Sequence, residues 1–463
     1  MVTQKLAEFV INTPYEQIPE NARLSAKRAI LDCLGVTLAG GSDPGSKLIV
    51  EFVKSHGGKE ESGVIGAGFK TIASEAALAN GTMAHILDYD DYCISFLGHP
   101  SVAILPAVLA LAEKEHASGK DALAAYILGF EMGASLGPAC GNHYVVGWHC
   151  TGTMGAIGAV GAACRVLKLS VDQTRNALGI TASLASGLKQ NFGTMTKSLH
   201  AGNGARNGVV GALLAQMGFT ANLDILESPQ GFCRVFAGGQ ECNLSQVGAT
   251  LGQNWVIASQ LALKPWPSCA GTHTSIQGAL ELAKEHKIKA EDVAEVECRT
   301  NPFVASAAMH HQPKEGLQGK FSVQYCVSRA LLDGEVGLKH FSDEMVNQPE
   351  AQALIQKVKF VHPEEMKASF VTPLASEVVI KLKNGTVVSK KVDSPKGEAQ
   401  NPMSMTDVST KYNGCASLVL PADAVKSSLN MVTDLEKLPD IATLMDVLTA
   451  KPKKKTAGGK KKA

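Results

Sequence analysis

The spacing of apolar residues predicts a chain built mainly of helices. From Asn21 to Ala39 apolar side chains recur every three or four residues, and the pattern ends at Gly40-Gly41, which is typical of a helix end. Ser170 and Gln173 match a capping box and predict the start of a further helix. The same helical pattern covers residues 74–86, 102–111, 121–134 and 153–167.

The pattern changes after residue 266. An amphipathic helix is predicted from Ile276 to His286, and alternating polar and apolar residues from Val293 to Arg299 predict a strand. Two further alternating runs flank Asn384-Gly385, which predicts a β-hairpin with a type I′ turn.

The predicted fold class is therefore mainly α, with two domains. Residues 1–266 and 400–450 form a large discontinuous all-helical domain, in which 422–448 is a last helical stretch. Residues 267–399 form a smaller α+β lid domain.

Charge is concentrated at one end of the chain. The formal net charge is +1, but seven lysines lie within residues 451–463, and without them the charge is −6. A body of that charge excludes a general nucleic-acid binder. The tail is predicted to be a disordered, solvated basic extension, in preference to a nuclear-localisation or nucleic-acid-binding signal.

Cysteine usage indicates the redox compartment of the protein, and hydropathy indicates whether the chain spans a membrane. Eleven cysteines with no Cys-x-x-Cys pair indicate free thiols in a reducing cytoplasm. The N-terminus shows no signal-peptide pattern. Residues 132–164 lack Asp, Glu, Lys and Arg, but Asn142, His143 and the Gly137-Pro138 break favour buried helices over a membrane span.

Candidate chemistry lies where charged residues interrupt apolar surroundings. Lys197 and His200 stand between two runs that are almost free of charge, and a buried lysine requires an anionic partner or a catalytic role. The alternative is a helix N-terminus whose lysine faces solvent. Asp88, Asp90 and Asp91 cannot all be ionised and buried, so they face solvent or a substrate, or a cation lies among them.

Further polar side chains lie at junctions marked by Gly or Pro, where scaffolds present functional groups. They are His99, His149, His273 and Tyr325. His149 precedes a predicted helix, whose N-terminal dipole favours an anionic ligand.

Several other chemistries find little support. The chain has no Gly-x-x-x-x-Gly-Lys-Ser/Thr motif. A metal site from His85, Asp88 and His99 is weighed against structural histidines, and no metal is predicted. Cys150 and Cys269 are weak candidates for a nucleophile because no partner pattern accompanies them.

Six sequence blocks, in order along the chain, resemble those of a known family, the MmgE/PrpD family. This family includes 2-methylcitrate dehydratase, cis-aconitate decarboxylase and iminodisuccinate epimerase. The resemblance implies an all-helical domain and an α+β lid with the active site between them, no metal or organic cofactor, and a homodimer. The blocks are Leu87-Asp88-Tyr89-Asp90-Asp91, Gly98-His99-Pro100-Ser101, Gly147-Trp148-His149, Thr196-Lys197-Ser198-Leu199-His200-Ala201-Gly202, Cys269-Ala270-Gly271-Thr272-His273 and Phe321-Ser322-Val323-Gln324-Tyr325.

The resemblance also implies a reaction, the abstraction of a proton next to a carboxylate of a small di- or tricarboxylic acid. On this hypothesis His149 and His273 exchange protons, Lys197 neutralises the carboxylate, Asp88 orients a neighbouring side chain, and Tyr325 delivers a proton or a hydrogen bond. The substrate-binding residues are predicted to be His99, Lys189, Tyr92 and His200.

A dehydratase-type lyase similar to 2-methylcitrate dehydratase is the favoured hypothesis. An epimerase of an iminodisuccinate-like acid is the alternative, followed by a cis-aconitate-type decarboxylase. Decarboxylation ranks lower because this chain has Tyr92 and Lys189 where the decarboxylases carry a threonine and a methionine. The hypothesis from another class is a non-catalytic binder of small polycarboxylates.

Overall fold

The computed structural model describes residues 1–367 and 374–450. Helices account for 59% of these described residues and strands for 9%, which confirms a mainly α fold with a smaller α+β part. The predicted disordered tail, 451–463, lies outside the described residues.

Within those ranges, thirteen helices have eleven residues or more. They are α1 Val2–Asn12, α2 Glu20–Gly40, α3 Pro44–His56, α4 Ala73–His85, α5 Pro100–Lys114, α6 Gly119–Ala134, α7 Cys150–Val166, α8 Val171–Leu184, α9 Met195–Gln216, α10 His273–His286, α11 Val323–Asp333, α12 Met405–Ala416 and α13 Ala422–Thr433. Shorter α-helical segments are Gly137–Cys140, Asn142–Val146, Phe232–Phe236, Val256–Ser259, Pro302–Ala307, Gly316–Gly319, Asp343–Val346, Pro349–Ile355, Glu364–Lys367 and Ala442–Leu448. Single 3₁₀ turns are Tyr15–Gln17, Lys189–Asn191, Leu244–Gln246, Ala270–Thr272, Ala290–Asp292, Leu338–Phe341 and Leu435–Lys437.

The strands form three small sheets. β1 Ser62–Val64 pairs with β2 Phe69–Thr71, and β3 Tyr92–Cys93 pairs with β4 Leu261–Ala262, both antiparallel. The largest sheet has the order β6-β5-β7-β8, from β5 Val293–Thr300, β6 Val358–Val361, β7 Ser376–Leu382 and β8 Val387–Val392. β6 runs parallel to β5, and no prediction from the sequence included it.

Small residues allow the central helices to approach closely. A Cβ at Gly81 of α4 would lie 2.8 Å from Gly202 Cα of α9, and a Cβ at Gly208 would lie 2.6 Å from Ala159 Cβ of α7. Larger side chains at these contacts would push the helices apart because the interior is close-packed. α9 is thus held between α4 and α7, and this contact fixes the position of Lys197 near its N-terminus.

The buried apolar residues divide into two main clusters. One draws on residues from Leu6 to Leu263 and again from Met403 to Leu448, and the other draws on residues from Ile276 to Ile380. This division supports the domain boundaries expected from the sequence, which remain a prediction.

Two local expectations are wrong. The hairpin loop has three residues, Lys383 to Gly385, closed by the Gly385 N–H donating to Leu382 O at 2.9 Å. Asn384 lacks the positive φ that a type I′ turn requires, and only Gly385 has one, at 89°. The stretch 422–448 is not one continuous helix: Ala422–Thr433 and Ala442–Leu448 are α-helices, and the connection between them contains the 3₁₀ turn Leu435–Lys437 and Pro439.

The apolar stretch around α6 is part of the core. Among the described residues, Gly119–Cys140 is long and apolar enough to cross a membrane, but 83% of its most apolar window is buried inside the protein. That is the environment of a core helix. All eleven cysteines are free thiols, as predicted.

Candidate active site

A cavity of about 210 Å³ lies between the helical part and the α+β part. The segment that follows α4, the N-terminus of α9 and the turn before α10 supply most of its wall. Its polar and ionisable lining residues are Asp88, Tyr92, Cys93, His99, Tyr144, His149, Lys197, Lys264 and Cys269, and its apolar ones include Ile94, Leu97, Phe192, Phe303, Val304, Phe321 and Leu374.

Asp88 forms the central ion pair of this cavity. Its Oδ1 accepts a hydrogen bond from Lys197 Nζ at 2.5 Å, and its Oδ2 lies 3.3 Å from Lys264 Nζ. Burial alone would raise the pKa of the Asp88 carboxyl, but the two ammonium groups outweigh burial and hold that pKa well below its usual range. Asp88 is therefore an anion shared by two cations.

Asp90 is the common partner of two imidazoles. Its Oδ2 lies 2.9 Å from His85 Nδ1 and 3.1 Å from His99 Nδ1. Burial opposes ionisation of Asp90, but His85 and His99 outweigh it and hold its pKa well below the usual range. Burial lowers the pKa of His85 to about 3, so this imidazole is neutral at physiological pH and donates through Nδ1–H.

Asp91 differs from its neighbours because no cation contacts it. Burial, with smaller contributions from nearby Asp90 and Asp32, raises its pKa to about 8. Its Oδ1 accepts from the Ser101 N–H at 3.3 Å, its Oδ2 contacts Ser101 Oγ, and Ser101 Oγ in turn contacts the Tyr126 hydroxyl. All three acids are therefore buried, two as anions paired with cations or imidazoles and the third as a neutral acid.

His149 is the imidazole of the cavity wall that is bonded to a second imidazole. Its Nδ1 lies 3.1 Å from His200 Nδ1, so one ring donates and the other accepts. Burial, reinforced by neighbouring imidazoles and Lys197, holds the pKa of His149 well below its usual range, and burial lowers that of His200. A neutral His149 leaves Nε2 to exchange a proton with a bound molecule.

Four residues predicted for the site do not line the cavity. His200 contacts His149 through the two Nδ1 atoms, and His273 Nε2 contacts Ser268 O at 3.1 Å, next to the lining residues Cys269, Ala270 and Gly271. Burial lowers the pKa of His273 to about 3. His273 is therefore absent from the cavity wall, and its proton-transfer role stays a prediction.

Tyr325 and Lys189 also point elsewhere. Tyr325 is fully buried in the α+β part, where its hydroxyl donates to His340 O. Lys189 Nζ lies 3.8 Å from the centroid of the Tyr144 ring and contacts Tyr144 O at 3.4 Å. Lys189 thus packs against a lining residue and is not itself part of the cavity lining.

Lys264 is the charged lining residue that sequence reasoning missed. It lies two residues after β4 and is 1% exposed. The sequence does indicate Lys264, because this lysine stands alone between the apolar run Leu261–Leu263 and Pro265. Lys197 was predicted from the same kind of pattern, a charged residue between apolar neighbours. Tyr92, which was predicted, lines the cavity with its hydroxyl bonded to Glu398.

His85, Asp90 and His99 have ligand atoms within 4.8 Å of one another, close enough to hold a metal ion. Hydrogen bonding explains the same geometry, because His99 Nδ1 donates to Asp91 O at 2.6 Å and a donating nitrogen has no lone pair for a metal. The expectation that the protein needs no metal remains a prediction.

The contrast between Asp90 and Asp91 is testable through stability. Asp91 binds a proton in the folded state below about pH 8 and in the unfolded state only below about pH 4, so it makes stability fall as pH rises between these values. Asp91→Asn keeps the acceptor for Ser101 N–H and a donor for Ser101 Oγ but cannot ionise. We expect this variant to show a flatter stability profile from pH 5 to 8, measured by urea unfolding.

Asp90→Asn is the matched control. It removes the charged acceptor shared by His85 and His99, and a hydrogen bond to a charged group contributes about 1.5–3 kcal/mol. We expect a loss of that order at pH 7. Equal losses in the two variants would contradict the assignment of different protonation states.

Comparison with known proteins agrees with this arrangement. Residues 4–245 match the model of the MmgE/PrpD N-terminal domain and residues 266–437 match that of the MmgE/PrpD C-terminal domain. The chain is similar to the cis-aconitate decarboxylase of Mus musculus, at 29% identity over 96% of this chain and 93% of the relative. It is also similar to that of Aspergillus terreus (strain NIH 2624 / FGSC A1156), at 29% over 96% of each.

A third relative is the mitochondrial 2-methylcitrate dehydratase of Yarrowia lipolytica, which is 24% identical over 86% of this chain and 80% of its own length. The two domain models together span most of the sequence and meet at the cavity, with Lys197 in one and Cys269 in the other. On these grounds the chain belongs to the MmgE/PrpD family.

Proposed function

We propose that this protein is a cofactor-independent lyase that moves a proton at a carbon next to a carboxylate of a small di- or tricarboxylic acid. The observation that carries the proposal is the surplus of positive charge in an apolar cavity. Lys197 and Lys264 share the single carboxylate of Asp88, so the site retains positive charge for a substrate anion.

The apolar surroundings strengthen that attraction. Lys197 Nζ lies 5.5 Å from the centroid of the Phe192 ring and 5.4 Å from that of the Phe321 ring. Such walls exclude water, and charges interact more strongly where water is excluded. The two lysines would therefore stabilise the negative charge that develops on a substrate carboxylate during proton abstraction.

His149 is the group proposed to exchange the proton. It lines the cavity as a neutral imidazole, so it accepts a proton without first losing one. His99 replaces His273 as the second imidazole of the cavity, and its Nδ1 contacts with Asp90 and Asp91 hold its ring in place. Binding of an anionic substrate would raise the basicity of His149 by charge compensation.

Decarboxylation and dehydration both fit this site. In decarboxylation a carbon–carbon bond breaks, carbon dioxide leaves, and the electron pair that stays on carbon takes up a proton. In dehydration the base removes the carbon-bound proton, and the neighbouring hydroxyl leaves with a proton as water. Each path needs a positive charge at the retained carboxylate and a nearby proton carrier.

We now place decarboxylation of a cis-aconitate-like acid first, ahead of the dehydration favoured from the sequence. One of the two departures that counted against it, Lys189, lies outside the cavity wall. Relatives named as decarboxylases also match 96% of the chain. Dehydration of a 2-methylcitrate-like acid is the second candidate, favoured by the Tyr92 phenol in the wall and by the relative from Yarrowia lipolytica.

The purified protein should be incubated with cis-aconitate, 2-methylcitrate and iminodisuccinate in deuterated water. We expect deuterium uptake into the product, followed by NMR and mass spectrometry, to continue after exhaustive chelation of metals. Release of carbon dioxide identifies a decarboxylase, and loss of water from the substrate identifies a dehydratase. Exchange of the carbon-bound proton for deuterium, without loss of either group, identifies an epimerase. Binding without exchange, bond cleavage or product formation would contradict the proposed function.

Variants of Lys197 test the role of the positive charge. Lys197→Met keeps the length and removes the charge, and loss of such an interaction costs about 3–4 kcal/mol of transition-state stabilisation, or roughly a hundred- to a thousandfold in kcat. Lys189→Met and Tyr325→Phe, altered outside the cavity wall, should keep kcat within about threefold. A large loss of kcat in either control variant would show that the altered residue takes part in the active site.

His149→Gln tests the proton carrier. Glutamine keeps a hydrogen-bonding group but cannot exchange a proton at neutral pH, so we expect the variant to bind substrate and to lose deuterium exchange. Calorimetry measures the binding and NMR measures the exchange. Exchange at the wild-type rate would exclude His149 as the base and leave His99 as the remaining imidazole of the cavity wall.

The protein is also proposed to be a homodimer, as the family resemblance implies. Exposed Val145, Val146, Leu188 and Val235 lie near one another, because Trp148 bridges to Leu188 and its ring lies 4.7 Å from that of Phe236. An apolar area of this kind is typical of an interface between subunits.

Light scattering at micromolar concentration should give the mass of a dimer. The double variant Val145→Glu with Leu188→Glu should shift it to a monomer, whereas Leu418→Glu, an equally exposed apolar residue elsewhere, should not. A wild-type monomer at this concentration would contradict the proposal.

A further inference from the structure

Three consecutive backbone carbonyls beside the cavity each accept a hydrogen bond from a buried lysine. Lys320 Nζ donates to Leu87 O at 2.6 Å, Lys264 Nζ to Asp88 O at 2.9 Å, and Lys411 Nζ to Tyr89 O at 2.6 Å. The three lysines come from different parts of the chain, namely the segment before α11, the segment after β4, and α12.

The backbone of this segment explains why side chains are needed there. α4 ends at His85, and Asp88 has a φ of 50°, in the left-handed region that residues other than glycine seldom adopt. Buried carbonyls that lack a partner cost free energy, and a left-handed residue persists only when its surroundings hold it there. The lysines satisfy the carbonyls and hold Asp88 in this conformation.

Lys320 and Lys411 reach the segment without lining the cavity. Lys320 Nζ also donates to Pro267 O at 3.0 Å, so it connects the α+β part to the helical part. Lys411 Nζ also donates to Lys264 O at 2.8 Å and lies 2.7 Å from Asp32 Oδ1. Both ammonium groups are therefore held by fixed partners on both sides.

Retaining these ammonium groups in the interior is costly. Lys320 is 6% exposed, and burial lowers the pKa of its ammonium to about 8. A lysine that only filled space could be replaced by an apolar side chain without that cost. The hydrogen bonds from these ammonium groups to the three buried carbonyls explain why charged lysines are retained at these positions.

We propose that Lys320 and Lys411 are positioning residues of the active site, which hold the carbonyls on either side of Asp88 and so fix its carboxylate against Lys197. The proposal rests on the proposed function, because it assigns these lysines to the alignment of the same ion pair. Neither residue would touch the substrate. Their removal would leave the binding groups in place and disturb their alignment.

Loss of the alignment of Asp88 should affect kcat more than KM. Lys197 and Lys264 would still meet the substrate carboxylates, so KM should change less than threefold. Misplacement of reacting groups by about 1 Å can cost on the order of a hundredfold in rate. We expect Lys320→Met and Lys411→Met to lower kcat by roughly tenfold to a hundredfold.

The control is Lys357→Met. Lys357 Nζ donates to Val293 O at 2.8 Å in the α+β part, which is the same kind of ammonium-to-carbonyl bond placed away from the cavity. This variant should keep kcat within about twofold. Melting temperatures of all three variants should be measured alongside the kinetics.

A double-mutant cycle with Asp88→Asn separates positioning from general stability. If Lys320 and Lys411 act through Asp88, each Lys→Met change should lower kcat much less when Asp88→Asn is already present. Equal losses in both backgrounds would overturn the proposal. Failure of Lys320→Met and Lys411→Met to fold while Lys357→Met folds would assign the lysines to stability alone and would also overturn it.

A crystal structure of Lys320→Met tests the proposal without any assay of activity. We expect Asp88 to leave its left-handed conformation and the distance from Lys197 Nζ to Asp88 Oδ1 to lengthen beyond hydrogen-bonding range. Unchanged geometry would overturn the proposal. If the wild type converts none of the acids tested, the proposed function fails and this structural result still decides the role of Lys320.

Discussion

The site depends on compensation for a buried anion, the carboxylate of Asp88. Removing a carboxylate from water is costly, and here two ammonium groups offset the cost and leave a surplus of positive charge. The same segment contains Asp90, stabilised by two imidazoles, and Asp91, kept as a neutral acid. The neighbouring groups thus determine the protonation states of the three acids: Asp88 and Asp90 are anions, and Asp91 is neutral.

Much of the architecture could be predicted from the sequence, because it depends on local patterns. The apolar period of α2 and the capping box at Ser170 lie within one helix and need no knowledge of distant contacts. β6 could not be predicted in this way, since its short run becomes a strand only by pairing with β5. The hairpin loop shows the limit of local chemistry, because Asn-Gly also fits a three-residue loop in which only glycine takes positive φ.

The site could be predicted only in part, for a related reason. Position along the chain indicated Asp88, His99, His149 and Lys197, but it gave no information on which way a side chain points. His273 follows a lining segment, and yet its ring bonds to Ser268 O and is not part of the cavity lining. Lys264 shows the opposite case, because its side chain, two residues after a two-residue strand, reaches the centre of the site.

The three lysine-to-carbonyl bonds also have a consequence for how the site is made. The carbonyl of Leu87 accepts its hydrogen bond from a lysine 233 residues later in the chain, and the carbonyl of Tyr89 accepts from a lysine 322 residues later. During synthesis, the N-terminal helices therefore emerge from the ribosome long before the residues that complete the segment around Asp88. On the proposed role of Lys320 and Lys411, a chain that stops short of α12 carries the cavity histidines and Lys197 but lacks a fixed acid, so the ordered site arises only once α12 has been made.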